Sequence, residues 1–469
     1  MLAEALAFDH AGLYRKLADA EPDAWLRSHA ADLLREHLEQ VAHQPCAVPE
    51  APQDLALWMA AARQTVHSLY GQYLAQRKAG APRRFFSNRA HALYFLRCVA
   101  PTKLVDGAWL YGLLAHWRNP RFSDLVRTYA EELGEGALDK NHVVVYRAVL
   151  ARYGLDPLDD LPDALYRQGQ VQLALGWNAE HFLPEIIGFN LAYEQLPLHL
   201  LITAYELNEL GLDPYYFTLH VTVDNADTGH ARRACQAVLD NLPRIDDGGV
   251  FWRRVREGSK LADAGVGTMQ VIQGFDIEAE LLRILSRKSC AGNGAHSDYC
   301  RVAGRGVNQW LSAPDNLPGF LRALQQAGWI RRGEAAENSR FWKLLQGERA
   351  EMFGVFSNYE LQVIHDWIRG DASADGQPCT ASTECKGAGE NYRRPTFRAA
   401  RQVAERGARA DAIPEPEPLD GDLTRLKQQL ATLGEAGRNA LLVRTMSPAQ
   451  HWTPAGLYAT RLFWQAVGT

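Results

Sequence analysis

No apolar run in the chain approaches the roughly 20 residues needed to cross a bilayer, so no membrane span is expected. The opening residues Met1 to His10 lack a basic stretch followed by an apolar core, so no secretory leader is expected. There is no surplus of basic charge. Fifty Lys and Arg stand against 55 Asp and Glu, for a net charge of -5. A nucleic-acid partner, which demands a basic footprint, is therefore not expected. The seven cysteines, at 46, 98, 235, 290, 300, 379 and 385, include no CxxC pair. An odd count in so long a chain argues for a reduced, cytoplasmic protein rather than a disulfide framework. Period-two alternation is scarce, which argues against a sheet, and no tandem repeat of fixed period is visible.

What is present is helical periodicity. Apolar residues recur at three- and four-residue steps in Trp25 to Val41, Leu55 to Arg77, Ser87 to Cys98, Phe122 to Leu133 and Asn141 to Tyr153. Leu104 to Trp117 is strongly apolar and reads as one buried helix. Leu183 to Leu196, Leu198 to Leu210 and Tyr215 to Leu239 complete the pattern, parted by Pro197 and by Gly211 to Pro214. The expected organisation is all-α. An N-terminal helical extension (1–84) precedes a compact helical bundle (85–290). A second helical extension follows at 291–370, with short helices near Phe320 to Gly328, Ser339 to Leu345 and Asn358 to Trp367. Residues 371–395 are small and polar and read as a mobile loop, and 411–421, with Pro414, Pro416 and Pro418, as an extended linker, so 371–421 is treated as loop and linker. Closing helices fall within 422–469, at Leu423 to Leu433 and Pro454 to Val467.

The chemistry concentrates in Tyr215 to His230, which holds His220, Asp224, Asp227 and His230. Residues three and four apart share a helix face, and a bundle uses such spacing to build carboxylate and histidine metal sites. At about 100° per residue, His220, Asp224 and Asp227 span an arc of about 60°, whereas His230 lies about 120° from Asp224. Bringing His230 in therefore requires a distortion. Asp224 to Gly229 is a poor helix former, and Gly229 alone costs about 1 kcal/mol relative to Ala. The blander alternative is a capped helix start with His230 at the surface.

Three other places complete a set. Glu132 ends one helix before Gly134 and Gly136, so it can converge with His142 across a turn, with Asp139 beside it; the alternative is a solvated acidic loop. Asp106 sits in an apolar segment, where an unpartnered carboxylate is expensive, although it could equally cap a helix. Glu194 ends the stretch from Glu185, in which Gly188, Leu191 and Glu194 share a face; Glu185 itself reads as a first-turn acid. The steps from Asp106 to Glu132 and from Glu194 to His220 are both 26 residues. Carboxylates mixed with imidazoles suit iron or manganese, and so many suggest two ions.

In combination, Glu132-Leu-Gly-x-Gly with His142, then Gly188-Phe-Asn-Leu-Ala-Tyr-Glu194, then His220-x-x-x-Asp224 with His230, resemble the haem-oxygenase-like diiron oxidases and oxygenases, also known as iron-containing redox enzymes. The resemblance covers about 85–245 and weakens onward through Trp310, Gly328-Trp329 and Met352 to Phe356. It implies a haem-oxygenase-like bundle holding two Fe(II)/Fe(III) ions. One ion would be held by Asp106, His142 and His230, and the other by Glu132, Glu194, His220 and Asp224. Asp139 and Asp227 are the reserve ligands. The chain departs from the family pattern in having Asp106 where Glu is usual, and Asp227 where the final histidine is usual. The choice between Asp227 and His230 as the last ligand favours His230.

The implied activity is O2-dependent oxidation of an amino-acid-like small molecule in specialised metabolism, foremost N-oxygenation of an amine through a peroxo-diferric intermediate. Oxidative C–C cleavage or desaturation of an amino or fatty acid on the same site is the alternative. An external electron donor is a further option, and a homodimer is the one protein assembly considered. Trp109, Tyr193, Tyr216 and Phe217 could line the cavity or serve as plain core. Arg97 or Arg232 could clamp a substrate carboxylate or form surface ion pairs. From other classes come a haem binder, a metal-free helical binding protein, and a thiamine-degrading hydrolase that would need an activated cysteine, for which Cys98 and Cys235 show no neighbours.

Overall fold

The computed structural model describes residues 8–155, 160–223, 229–245, 248–292, 294–297, 299–348, 350–370 and 420–467. The longer helices are α1 (His10–Asp19), α2 (Ala24–Val41), α3 (Leu55–Lys78), α4 (Arg89–Cys98), α5 (Ser123–Glu132), α6 (His142–Tyr153), α7 (Arg167–Trp177), α8 (Leu183–Tyr193) and α9 (Leu198–Glu209). They continue with α10 (Tyr215–Val223), α11 (His230–Asn241), α12 (Gly248–Lys260), α13 (Ile277–Gly292), α14 (Leu317–Gln326), α15 (Asn358–Arg369), α16 (Gly421–Thr432), α17 (Glu435–Thr445) and α18 (Pro454–Val467). Among the described residues the only strands are Arg301–Val302 and Arg305–Gly306, paired antiparallel. No helix of these is long and apolar enough to cross a membrane. The fold is all-α.

Local chemistry sets the helix starts. Asp9, Asp23, Asn88, Asn141 and Asp420 each accept a backbone N–H of the first turn through the side chain. Gly154 ends α6 in the left-handed conformation, as its place after Tyr153 predicts.

Two expectations need correction. Leu104 to Trp117 is not one α-helix. Residues 104–107 form a turn, Gly107 has φ of +79°, and Ala108–His116 is a 3-10 helix. Packing explains the tighter winding. A Cβ on Gly112 would lie 2.5 Å from the Gly176 carbonyl, and one on Gly176 would lie 2.0 Å from the Ala108 carbonyl, so α7 presses backbone to backbone on this segment. Tyr215 to Leu239 is likewise not one helix. Gly229 is extended, and His230 begins a separate helix. The helices α7, α12 and α13 were not singled out from the sequence at all. The loop and linker expected at 371–421 lie outside the described residues, apart from Asp420 and Gly421.

Two hydrophobic cores form. The first gathers α1, α2, α5, α7, α8, α11, α12 and the C-terminal α16 to α18. The second gathers α4, α6, α9, α10, α13, α14 and α15. Large fully buried side chains such as Trp109 in the first and Tyr146 in the second each contribute about 1.5–3 kcal/mol of burial. The C-terminal helices also reach the turn after α5. Tyr129 donates to the Met446 carbonyl at 2.6 Å, and Arg461 donates to the Gly136 carbonyl at 3.0 Å.

Candidate metal centre

The fold brings six of the seven chief candidates together in two groups. Asp106, Glu132, His142 and His220 offer ligand atoms within 4.8 Å of one another, as do Glu132, Glu194 and His230. All six are buried, at 7 % exposure or less. Among the described residues, Glu132 is the one that belongs to both groups. Asp224 and Asp227 lie outside the described residues. Asp139 is exposed on the turn before α6 and stands outside both groups.

Each donor is delivered by a specific piece of backbone. Asp106 sits in the turn before the 3-10 helix, and the Cβ that Gly107 lacks would lie 2.9 Å from the Glu132 Cβ. Glu132 is the last residue of α5 and His142 the first of α6, so the turn between them folds the two together. Asn141 fixes that turn by donating to the Leu133 carbonyl at 3.2 Å, while its Nδ2 also faces His451 Nδ1 at 3.2 Å. Glu194 caps the end of α8, His220 lies on α10, and His230 starts α11.

The hydrogen bonds aim the imidazoles. His220 Nδ1 lies 2.9 Å from the Tyr216 carbonyl, which can only accept, so Nδ1 carries the proton and Nε2 is left facing Asp106 Oδ2 at 3.1 Å. Tyr216 Oη donates to the same Asp106 oxygen at 2.5 Å. His142 Nδ1 meets Glu132 Oε2 closely and lies 3.8 Å from Asp106 Oδ2. His230 Nδ1 lies 3.2 Å from Glu132 Oε1 and 3.0 Å from Glu194 Oε2.

Burial pushes the Glu132 carboxyl up, but the imidazoles of His142 and His230 beside it outweigh it and hold the group well below the carboxylate range. Asp106 behaves alike: burial raises it, while Lys103 and the His220 hydrogen bond bring it below its ordinary value. The site is thus a buried concentration of carboxylates facing imidazoles.

The residues fit a metal. Glu132 Oε2 and His142 Nδ1 are fully buried and adjacent, yet the contact is not aligned as a hydrogen bond and neither atom has another hydrogen-bond partner among the described residues. Two lone-pair atoms converging in this way are what a cation between them requires. Carboxylate oxygens with imidazole nitrogens suit iron, and the absence of a thiolate disfavours a structural zinc.

The grouping of ligand atoms differs from the distribution implied by the family resemblance. His220 lies with Asp106 and His142, not with Glu194. His230 lies with Glu132 and Glu194, not with Asp106. The break at Gly229 is the reason, because it frees His230 from the register of α10.

Of the aromatic candidates, Tyr216 touches Asp106 and His220, while Trp109, Tyr193 and Phe217 are packed core. Trp109 donates to Asn190 at 3.0 Å and contacts Tyr193, whose hydroxyl accepts from Gln172. Phe217 packs against Phe95. Arg97 is buried rather than at the surface. Burial pushes the Cys98 thiol up to about 12 and that of Cys235 up to about 11, the reverse of an activated nucleophile.

Three neighbours escaped the sequence reading: Glu131, Lys103 and His451. His451 lies far along the chain with no local signal, and burial lowers it to about 3.

Residues 93–263 match the model of a family described as an iron-containing redox enzyme. That span contains every residue of both groups, and the match supports the haem-oxygenase-like resemblance of this region. The chain matches no curated protein and no solved structure.

Proposed function

We propose that the chain is an O2-dependent non-haem diiron oxygenase or oxidase acting on an amino-acid-like small molecule, foremost on an amine nitrogen. The observation that carries this reading is the pair of buried donor groups joined at Glu132. Asp106, His142 and His220 would hold one iron, Glu194 and His230 the other, and Glu132 would bridge them. Bound iron supplies the redox equivalents with which O2 is activated.

The chain's own residues supply the rest. Tyr216 orients Asp106 through its hydroxyl and His220 through its carbonyl. Trp109, Phe189 and Tyr193 pack against one another on the first core, with ring centroids 4.9–5.3 Å apart. The family resemblance supports the amine as the reacting group; oxidative C–C cleavage or desaturation would use the same donors.

The test is O2 uptake by protein loaded anaerobically with Fe(II). Uptake should depend on iron and disappear in His220→Ala. Uptake that persists in His220→Ala, or never exceeds that of free Fe(II), would refute the reading. Mass analysis of candidate amino acids and amines after turnover then separates oxygen added to nitrogen from a lost carbon unit or lost hydrogens.

A further inference from the structure

We propose that Glu131 is the positioning residue of His230, fixing which imidazole nitrogen faces the second metal group; this rests on the two-metal reading above. His230 is the first residue of α11 and follows an extended glycine. Glu131 reaches its ring from across the site. Its Oε2 lies 3.0 Å from His230 Nε2, while His230 Nδ1 faces Glu132 Oε1 and Glu194 Oε2.

The carboxylate is itself held on both oxygens. Arg233 pairs with Oε2, and Arg127 donates to Oε1 at 3.0 Å. Ionised and acceptor-only, Glu131 requires the proton on Nε2 and leaves the Nδ1 lone pair for a cation. A carboxylate on the far nitrogen of a ligating histidine fixes its tautomer and raises its basicity. Adjacent residues of α5 thereby address the two nitrogens of one ring: Glu132 as a donor to the metal, Glu131 from behind. The arrangement is asymmetric, because His220 is held from behind by a neutral carbonyl instead.

Titration of the metal-free protein with Co(II), followed by its visible absorption, and with Fe(II), followed by metal content, tests this. In the wild type two ions should bind, and His230→Ala, as the reference, should lose one of them. Glu131→Ala should weaken that same ion by about 10- to 100-fold and alter its Co(II) spectrum, leaving the other ion unchanged. Glu131→Gln, which retains an acceptor oxygen, should recover most of the loss. A Glu131→Ala titration superimposable on wild type would overturn the proposal while leaving the metal reading intact. Equal weakening of both ions would assign Glu131 to folding alone and overturn it too. A wild type that binds no metal would sink the two-metal reading and this proposal with it.

Discussion

The histidines of the two halves of the candidate site stand on different cores. His142 and His220 stand on α6 and α10, whose apolar faces belong to the second core. Glu132, Glu194 and His230 come from α5, α8 and α11, which belong to the first. The first half draws on both cores, because Asp106 lies between Val105 and Ala108 of the first, and Glu132 is the side chain that both halves share. The halves also differ in how their histidines are aimed. His220 is aimed by a carbonyl one turn earlier on its own helix, so its geometry is local. His230 depends on Glu131 from another helix, so its geometry is tertiary. Donor sets that look alike in composition can thus differ in what must fold before they exist.

This contrast can be broken most completely at Glu132. Glu132→Ala should abolish binding of both ions, because each half loses a donor; elemental analysis after loading checks it, and retention of one tightly bound ion would deny Glu132 its shared role. Next come His220→Ala and His230→Ala. Each should lose one ion and keep the other, and loss of both in either variant would show the halves to be a single cooperative unit.

Tyr216→Phe should act on the first half alone. It removes one hydrogen bond to the Asp106 carboxylate, a contact of about 1.5–3 kcal/mol, which corresponds to roughly tenfold or more in affinity. Metal titration should show that loss for one ion only.

The smallest effect lies in the acid limb of the metal-free protein. Burial pushes the Glu131 carboxyl up, but the His230 hydrogen bond and Arg233 outweigh it and bring it from an ordinary 4.5 to about 2. A depressed folded value means the stabilisation is complete above pH 4.5 and is lost as pH falls toward 2. Urea midpoints of wild type and Glu131→Ala should therefore differ at neutral pH and converge on acidification. A gap that stays constant from pH 6 to pH 2 would contradict the assignment.

Much of this candidate site was legible because several of its donor residues sit at helix ends with their own signals. Asn141 before His142 marks a helix start, and Gly134 marks the stop after Glu132, so a convergence across that turn followed from local chemistry. The division into two groups was not legible, since spacing along the chain does not state which helices adjoin. Gly229 carried the relevant signal, but it reads equally as a bulge within one helix or as a break between two. Leu104 to Trp117 went astray because its 3-10 winding comes from backbone contact with α7, a long-range effect that apolar periodicity does not encode. Glu131 was hidden by its neighbour: one helix step separates an acid that points at the metal group from one that holds a ligand from behind.

The central claim is that the two buried groups form one two-ion centre. Iron content per chain, measured after anaerobic Fe(II) loading and removal of excess metal, tests it most directly. The account predicts two irons per chain in the wild type and none in Glu132→Ala. One iron or fewer in the wild type, or two retained in Glu132→Ala, would contradict it.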